Sequence, residues 1–363
     1  MAVKKPKVIV AMSGGVDSSV AAYLLQKQGY EVLGIFMHFW AETLSGESEV
    51  TNKCCSVASF NDARRVAQHL GFPIYTVNFD LPFKKLVVDE FIAGYGAGET
   101  PNPCVNCNKY IKFDLLIEKA NGLRADFIAT GHYAGMKRQG DSIKLTRPKD
   151  KAKDQTYFLY NLNQDNLKKI LFPLSDLTKT QVREIAGKAG LGVAEKPESQ
   201  EICFIPERTH NEFLKRHLKL IPGEIKTMDG RVIGKHQGLP LYTIGQRKGV
   251  EIGGIGPFYV AKCDFETNTL FVVSEKEDKA LFRKDLVARE VNWINGEPKL
   301  PLRAQAVIRY RHPAVTCDIK KNPSGGLSVK FTKPQRAVTA GQSVVFYKGN
   351  EVLGGGIIDK QLK

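Results

Sequence analysis

A chain of 363 residues exceeds the usual span of one domain, so two or three are expected, and 42% hydrophobic residues give each of them material for a core. The formal charge is +15 and unevenly spread, with 26 basic and 22 acidic residues up to position 205 but 27 and 16 beyond it, which points the C-terminal half towards a polyanion, nucleic acid foremost. No apolar run approaches the ~18 residues of a membrane span, the opening MAVKKPKVIVAMSGG is no secretion signal, and seven cysteines are no dense disulfide framework; a cytoplasmic protein with thiols available for chemistry is expected.

Val8, Ile9 and Val10 form a short β-branched run, the composition of a parallel strand covered on both faces. Ser13, Gly14 and Gly15 then allow the backbone to approach an anion, and 21–28 continues as a helix stopped at Gly29. A helix N-terminus behind two glycines offers unpaired N–H groups and partial positive charge, which suits phosphate. No Gly-Lys-Ser/Thr follows at the Walker A spacing, so the loop is of another kind. An ordinary Gly-rich turn is the bland alternative, and the strand–SGGVDSS–helix context favours the nucleotide.

Residues 30–37 read as a second strand, whose end places Met37 where an adenine could sit. The polar, acidic stretch 41–52 is a loop, 56–70 a helix with Gly71 as its stop, and 72–78 a strand. Cys54 and Cys55 are adjacent and cannot converge on one helix side, so they are assigned to packing. A helix over 81–95 leads to GETPNPCVNCN, where two prolines flank Asn102 and a helix over 109–120 follows. Cys107 then lies near a helix N-terminus, where the dipole and Lys109 would favour thiolate. A strand over 126–129 ends at Thr130-Gly131-His132-Tyr133, polar residues aimed at the same crevice.

This alternation predicts an open, doubly wound parallel α/β sheet. A more helical stretch begins at Lys153-Asp154-Gln155, and Thr178 to Gln181 reads as a capping box ahead of a helix over 182–189. A loop over 190–199 leads to Cys203. From about Gly223 the segments are short and separated by turn residues, indicating β modules. Strands are expected at 223–227, 257–265, 269–274, 287–293, 302–311, 314–320, 327–331, 343–347 and 354–359, with a charged boundary at 275–283. The predicted domains are 1–208, 209–280 and 281–363: a nucleotide and catalytic domain, a small mainly β domain and a β-barrel.

The set SGGVDSS, FMHFW, ETPNPCVNCNKYIKF, ATGHYA, KDQTYFLY, ESQEICFI, YTIGQRKG, IRYRHP, AGQSVVFY and LGGGII, in that order and over nearly the whole chain, resembles the tRNA-specific 2-thiouridylases (MnmA/TrmU) of the PP-loop ATP pyrophosphatase superfamily. The resemblance implies a cytosolic enzyme that replaces the C2 oxygen of the wobble uridine in tRNAs for Lys, Glu and Gln by sulfur. It implies ATP bound by Ala11, Met12, Ser13, Gly14, Gly15, Val16, Asp17 and Ser18, with Met37 at the adenine and Gly131. It implies Cys107 as nucleophile and Cys203 as persulfide carrier. Asn102, Pro103 and Cys104 match the stretch that contacts the target base, and Lys153, Asp154, Gln155, His132, Gln342, Arg309 and Tyr310 match tRNA contacts. The sulfur donor would be a cysteine desulfurase or a sulfur-relay protein.

A pyrimidine carbonyl oxygen is a very poor leaving group. Adenylation by ATP makes it a good one, with Mg²⁺ neutralising pyrophosphate, and a persulfide on Cys203 supplies the sulfur. Cys107 attacking Cys203 would leave a Cys107–Cys203 disulfide for later reduction. Many members carry Asp where this chain has Cys104, so Cys104, Cys107 and Cys203 offer a second possibility: three thiolates holding a [4Fe–4S] cluster. Tyr242, Arg247, Lys248 and Arg311 add basic and aromatic groups suited to RNA. The competing readings are an amidating or ligating PP-loop enzyme, which needs neither cysteine, and a non-catalytic RNA-binding protein.

Overall fold

The computed structural model describes residues 5–42, 55–197, 202–205, 210–250, 252 and 257–360. Most of the acidic stretch 41–52, Cys54, and residues 198–201 ahead of Cys203 lie outside them. Among the described residues the strands form three sheets, and the first is parallel throughout: β1 (Lys7–Met12), β2 (Glu31–His38), β3 (Ile74–Asn78), β4 (Phe127–Ala129) and β7 (Ile170–Leu171) lie in the order β3-β2-β1-β4-β7. Buried β-branched runs produce this arrangement: Val8, Ile9 and Val10 are fully inaccessible, as a central strand requires. Strand order reverses between β1 and β4, so the crevice beyond their carboxyl ends is the switch point at which open α/β sheets take ligands. The loops at that point are SGGVDS and TGHY.

Helix α1 (Val16–Lys27) follows the first loop, and α2 (Val57–Leu70) is capped by Ser56 and stopped by Gly71 at φ 72°. The capping box read at Thr178 is present in full, its hydroxyl accepting from Gln181 N and starting the helix Lys179–Lys188.

The second sheet, β10-β11-β8-β9, comprises β8 (Gly223–Thr227), β9 (Val232–His236), β10 (Tyr259–Asp264) and β11 (Thr269–Val273). The third contains β12 (Phe282–Trp293), β13 (Leu302–Val307), β14 (Val315–Lys321), β15 (Leu327–Arg336), β16 (Ser343–Lys348) and β17 (Glu351–Ile358). Pairing of β12 with β17 closes these six into a barrel. The α/β domain, the small β domain and the barrel predicted from the sequence are therefore all present.

The strands β7 and β9 and one hairpin lie outside the strands expected from the sequence. β5 (Gly135–Gln139) and β6 (Ser142–Thr146) turn at Gly140 and Asp141 and extend the barrel sheet through Thr146 opposite Glu351 of β17. The barrel is thus seated on the first domain. Tyr160 completes the join, its ring lying where any Cβ on Gly355 would come within 2.8 Å, and its hydroxyl receiving the Ser343 Oγ proton at 3.2 Å.

Phe204 anchors the segment that carries Cys203. Its ring packs edge-on to Phe83 at 5.9 Å, Phe91 at 5.5 Å and Phe213 at 5.7 Å. Phe204→Ala removes the centre of this aromatic cluster and is expected to lower stability by about 3–5 kcal/mol in denaturant unfolding. A loss under about 1 kcal/mol would show that the segment is not held in this way.

Candidate active site

The loop over 13–18, the candidate nucleotide loop, is shaped by contacts that only glycine allows. Gly14 has φ +68°, and a Cβ there would fall 2.1 Å from Ser59 O. Gly131, in the loop after β4, faces Ser18 N, which a Cβ would approach to 2.7 Å. The two loops at the switch point therefore touch through bare backbone. Gly15 is the N-cap of α1 and has no side-chain cap bond, so the first amides of that helix are not closed off by a capping side chain. Ser18 Oγ accepts from Ser13 N at 3.2 Å and donates to Gly15 O at 3.2 Å, and Ser19 Oγ donates to Gly15 O at 2.9 Å. Ala11, Met12 and Val16 are buried beneath the loop, Ser13 is exposed, and Met37 is buried near the end of the neighbouring strand β2. Backbone amides and hydroxyls are thus gathered at this turn, and their chemistry fits a phosphate chain.

Two lysines that the sequence reading did not single out close on this loop. Lys179 Nζ donates to both Asp17 carboxylate oxygens, at 2.7 and 2.8 Å, and Tyr133 OH donates to Asp17 Oδ1 at 2.9 Å. Lys196 Nζ donates to Gly14 O at 3.0 Å and to Asp62 Oδ2 at 2.6 Å. Lys196 and Arg65 lower the Asp62 pKa against the opposing effect of its burial. Both lysines are more than 130 residues from the acceptors they meet. The capping box at Thr178 was the one available signal for Lys179, since it fixes that residue at the start of a helix.

The cysteine segment is built differently from the expectation. The helix begins at Pro103, with Asn102 Oδ1 accepting from Cys104 N at 3.2 Å, and not near Lys109. Cys107 is thus a full turn inside, its N–H already directed to Pro103 O and Cys104 O. A helix dipole acts mainly within the first turn, so it favours charge at Cys104 more than at Cys107. Cys104 is exposed and Cys107 buried. From Cys107 to Leu115 the helix widens to i→i+5 bonding, a geometry common at functional sites.

Cys203 is half-buried at the edge of the main core. Phe204 rests on Phe83 and Phe91, from the helical layer Asp80–Gly96, and the segment that begins at Cys107 packs against that same layer. The two cysteine-bearing segments therefore border one layer although 96 positions separate Cys107 from Cys203. Among the described residues no group of three His, Cys, Asp or Glu side chains converges to hold a metal ion. Cys104, Cys107 and Cys203 are not gathered into such a group.

The loop just ahead of Asn102, Pro103 and Cys104, the residues matched to target-base contacts, is braced from both other domains. Thr100 N donates to Ala340 O at 2.8 Å, and Gln342 Nε2 donates to Thr100 O at 2.6 Å. Arg289 pairs with Glu99 at 2.8 Å, while the hydroxyls of Thr100 and Thr243 meet at 3.0 Å. Gln342 therefore reaches the loop ahead of Asn102 and Pro103.

The remaining residues matched to tRNA contacts fall into two groups. Lys153, Asp154 and Tyr310 line one cavity of about 590 Å³ with Arg147, Arg311 and Tyr347. Asp154 is paired with Arg147 at 2.6 Å, and the Tyr310 ring lies 4.5 Å from Phe158. Arg309 is exposed beside it. His132 and Gln155 lie elsewhere. His132 is buried, its Nδ1 2.7 Å from Thr130 Oγ1 and its ring against Phe113 and Phe172; burial holds its pKa well below the usual histidine range, with Lys112 adding to the effect. Gln155 Oε1 accepts from Tyr133 N at 2.8 Å, so its side chain ties two loops together.

Comparison with known proteins agrees with this construction. The family model described as the tRNA methyl transferase HUP domain matches residues 6–207, the tRNA methyl transferase PRC-barrel domain residues 211–274, and the aminomethyltransferase beta-barrel domain residues 283–358. The tRNA-specific 2-thiouridylase MnmA of Carboxydothermus hydrogenoformans is 48% identical, the match covering 99% of each chain. Those of Geobacter metallireducens and Listeria monocytogenes are each 46% identical, over 98% and 97% of this chain and 97% and 94% of theirs. A 4-thiouridine synthetase–RNA complex with bound ATP is similar over 58% of this chain and 50% of that chain, at 18% identity and a TM-score of 0.34. Matched over nearly its whole length by the curated relatives, and by family models along all three domains, the chain belongs to the tRNA-specific 2-thiouridylase family, enzymes of sulfur transfer.

Proposed function

We propose that the protein replaces the C2 oxygen of the wobble uridine of tRNA by sulfur, with ATP as the activating substrate and a persulfide on Cys203 as the sulfur source. The observation that carries this reading is the phosphate-shaped loop at the switch point, set in a chain whose two cysteine segments border a single helical layer.

The uridine C2 oxygen attacks the α-phosphorus of ATP, and pyrophosphate departs. The N-terminal amides of α1 and the hydroxyls of Ser13 and Ser18 are the groups available to hold that leaving anion. Mg²⁺ usually binds through phosphates with one or two carboxylates, and Asp17 is the carboxylate at this loop; the ion would neutralise charge on the departing pyrophosphate. The terminal sulfur of the Cys203 persulfide then bonds to C2, and AMP leaves with the former carbonyl oxygen. Cys107 thiolate attacks Sγ of Cys203 and breaks the S–S bond, so that the two electrons of that bond leave with the transferred sulfur. The resulting Cys107–Cys203 disulfide is reduced by an external thiol before the next cycle. The persulfide itself comes from a cysteine desulfurase, directly or through a sulfur-relay protein.

The wobble base must leave its stack to reach such a site, which a single-stranded anticodon loop permits. The cavity with Arg147, Lys153 and Tyr310 offers cations and an aromatic ring for the RNA around that base. Pyrophosphate release from ATP is expected to depend on added tRNA bearing uridine at the wobble position. Release at the same rate with no tRNA, or with a transcript carrying cytidine there, would contradict the reading.

A further inference from the structure

Asp17 is an unusual neighbour for a phosphate chain. It stands in the first turn of α1, where its negative charge would repel the anion that the amides attract. Residues 11–19 contain no Lys or Arg to offset either charge. Yet the Lys179 ammonium is already at this point, only 11% of its side chain exposed, with both Asp17 oxygens within 2.8 Å.

Lys179 is held there from behind. It is the first residue of its helix, its backbone N–H donates to Asp150 Oδ2 at 2.9 Å, and the Thr178 capping box fixes the turn. Tyr133 OH binds the same Asp17 oxygen, and the Lys179 ammonium lies 5.9 Å from the Tyr133 ring centre. Gly131, two residues earlier, is pressed against Ser18 N and Asp17. The ion pair thus sits beside the amide cradle, at the meeting of both switch-point loops. Lys196 has a separate task at the back of the loop, on Gly14 O and Asp62.

We infer that Lys179 is a catalytic residue of the nucleotide site: its ammonium, paired with Asp17 in this structure, transfers to the β- and γ-phosphate oxygens of ATP and stabilises pyrophosphate as it leaves. This rests on the nucleotide reading given above. Bond breaking between the α- and β-phosphorus moves a full negative charge onto the leaving group, and a point cation on a flexible stem can follow it. Asp17, once released, is the carboxylate available to Mg²⁺. The pair also keeps a buried ammonium matched before nucleotide binds.

The test is calorimetric titration of the full-length protein with pyrophosphate, ATP and AMP, without Mg²⁺, for the wild type, Lys179→Met, Lys179→Arg and Asp17→Asn. Lys179→Met is expected to weaken pyrophosphate and ATP by at least tenfold and to leave AMP within twofold, since AMP lacks the phosphates that Lys179 reaches. Lys179→Arg restores most of the loss. Asp17→Asn removes the competitor for the ammonium and is expected to tighten pyrophosphate several-fold, a gain that a merely structural ion pair would not produce. Equal losses for AMP and pyrophosphate, no loss for pyrophosphate, or weaker pyrophosphate binding by Asp17→Asn would each overturn the inference. If Lys179→Met does not fold, Asp17→Asn alone still decides by the sign of its effect. A wild type that binds neither ATP nor pyrophosphate would sink the nucleotide reading itself, and this inference with it. ATP binding that persists unchanged in Lys179→Met would sink the inference alone.

Discussion

Replacing Cys203 by alanine is expected to abolish thiolation, by about a thousandfold or more, while tRNA-dependent pyrophosphate release stays within a few-fold of the wild type. In the proposed reaction the two half-reactions use different groups: activation of the C2 oxygen would draw on the amides at Gly14 and Gly15, and delivery of sulfur on the thiol at 203. Phe204, one residue on, holds the segment by its ring contacts with Phe83 and Phe91, so the truncation at 203 leaves that anchor intact. Cys107→Ala separates the steps further. Protein with that change, loaded by a desulfurase, is expected to carry one additional sulfur at Cys203 and to form no Cys107–Cys203 disulfide on addition of tRNA and ATP. Mass spectrometry of the peptides containing the two cysteines reads both results. Full thiolation by either variant would remove the persulfide route and favour sulfur delivery that bypasses these side chains.

Gly14→Ala carries the second large effect, and here it arises from the backbone. A left-handed φ costs an alanine about 1–2 kcal/mol. The added methyl also meets Ser59 O at 2.1 Å and Ser59 C at 2.9 Å, and a backbone carbonyl in a helix cannot step aside cheaply. The loop therefore shifts, and its amides leave the positions that define the cradle. ATP affinity is expected to fall about a hundredfold, close to 3 kcal/mol. The melting temperature should drop less steeply, because the buried strand β1 beneath is untouched. Gly15→Ala is the matched comparison: φ there is −98°, and a Cβ meets only Ser13 Oγ at 3.4 Å. Its fold should be nearly as stable as the wild type. Unaltered ATP binding by Gly14→Ala would mean that the nucleotide's phosphates lie elsewhere.

Much of the frame was legible because its signals are local. A buried β-branched run, a Ser N-cap with a left-handed glycine stop, and a Thr-x-x-Gln capping box each express backbone preferences within a few residues. They mark β1 and α2, while the helix expected over 182–189 starts three residues earlier, at Lys179 directly behind its Thr178 cap, and ends at Lys188. The hairpin β5–β6 shows a local signal overlooked: Gly140-Asp141 between GMKRQ and SIKLT is a two-residue turn of the kind that closes antiparallel strands. Its polar faces hid it, and its partner Glu351 lies 205 residues beyond Thr146, which no window can register. The start of the cysteine helix was misplaced for a related reason. Pro103 is a good first helical residue and Asn102 a good cap, so the helix begins there and Cys107 moves out of the first turn.

The sequence by itself determined the parallel sheet, the β character of the C-terminal half, the phosphate-suited glycines and the family, since each depends on residue type and order along the chain. Tertiary structure alone decided that Lys179 meets Asp17, that the barrel loop carrying Gln342 grips the backbone at Thr100, and that the segments of Cys107 and Cys203 border one helical layer. The reason is physical: these are pairings between groups far apart in sequence, fixed by strand order and by which faces can be buried together, and neither quantity is written in any single stretch of the chain.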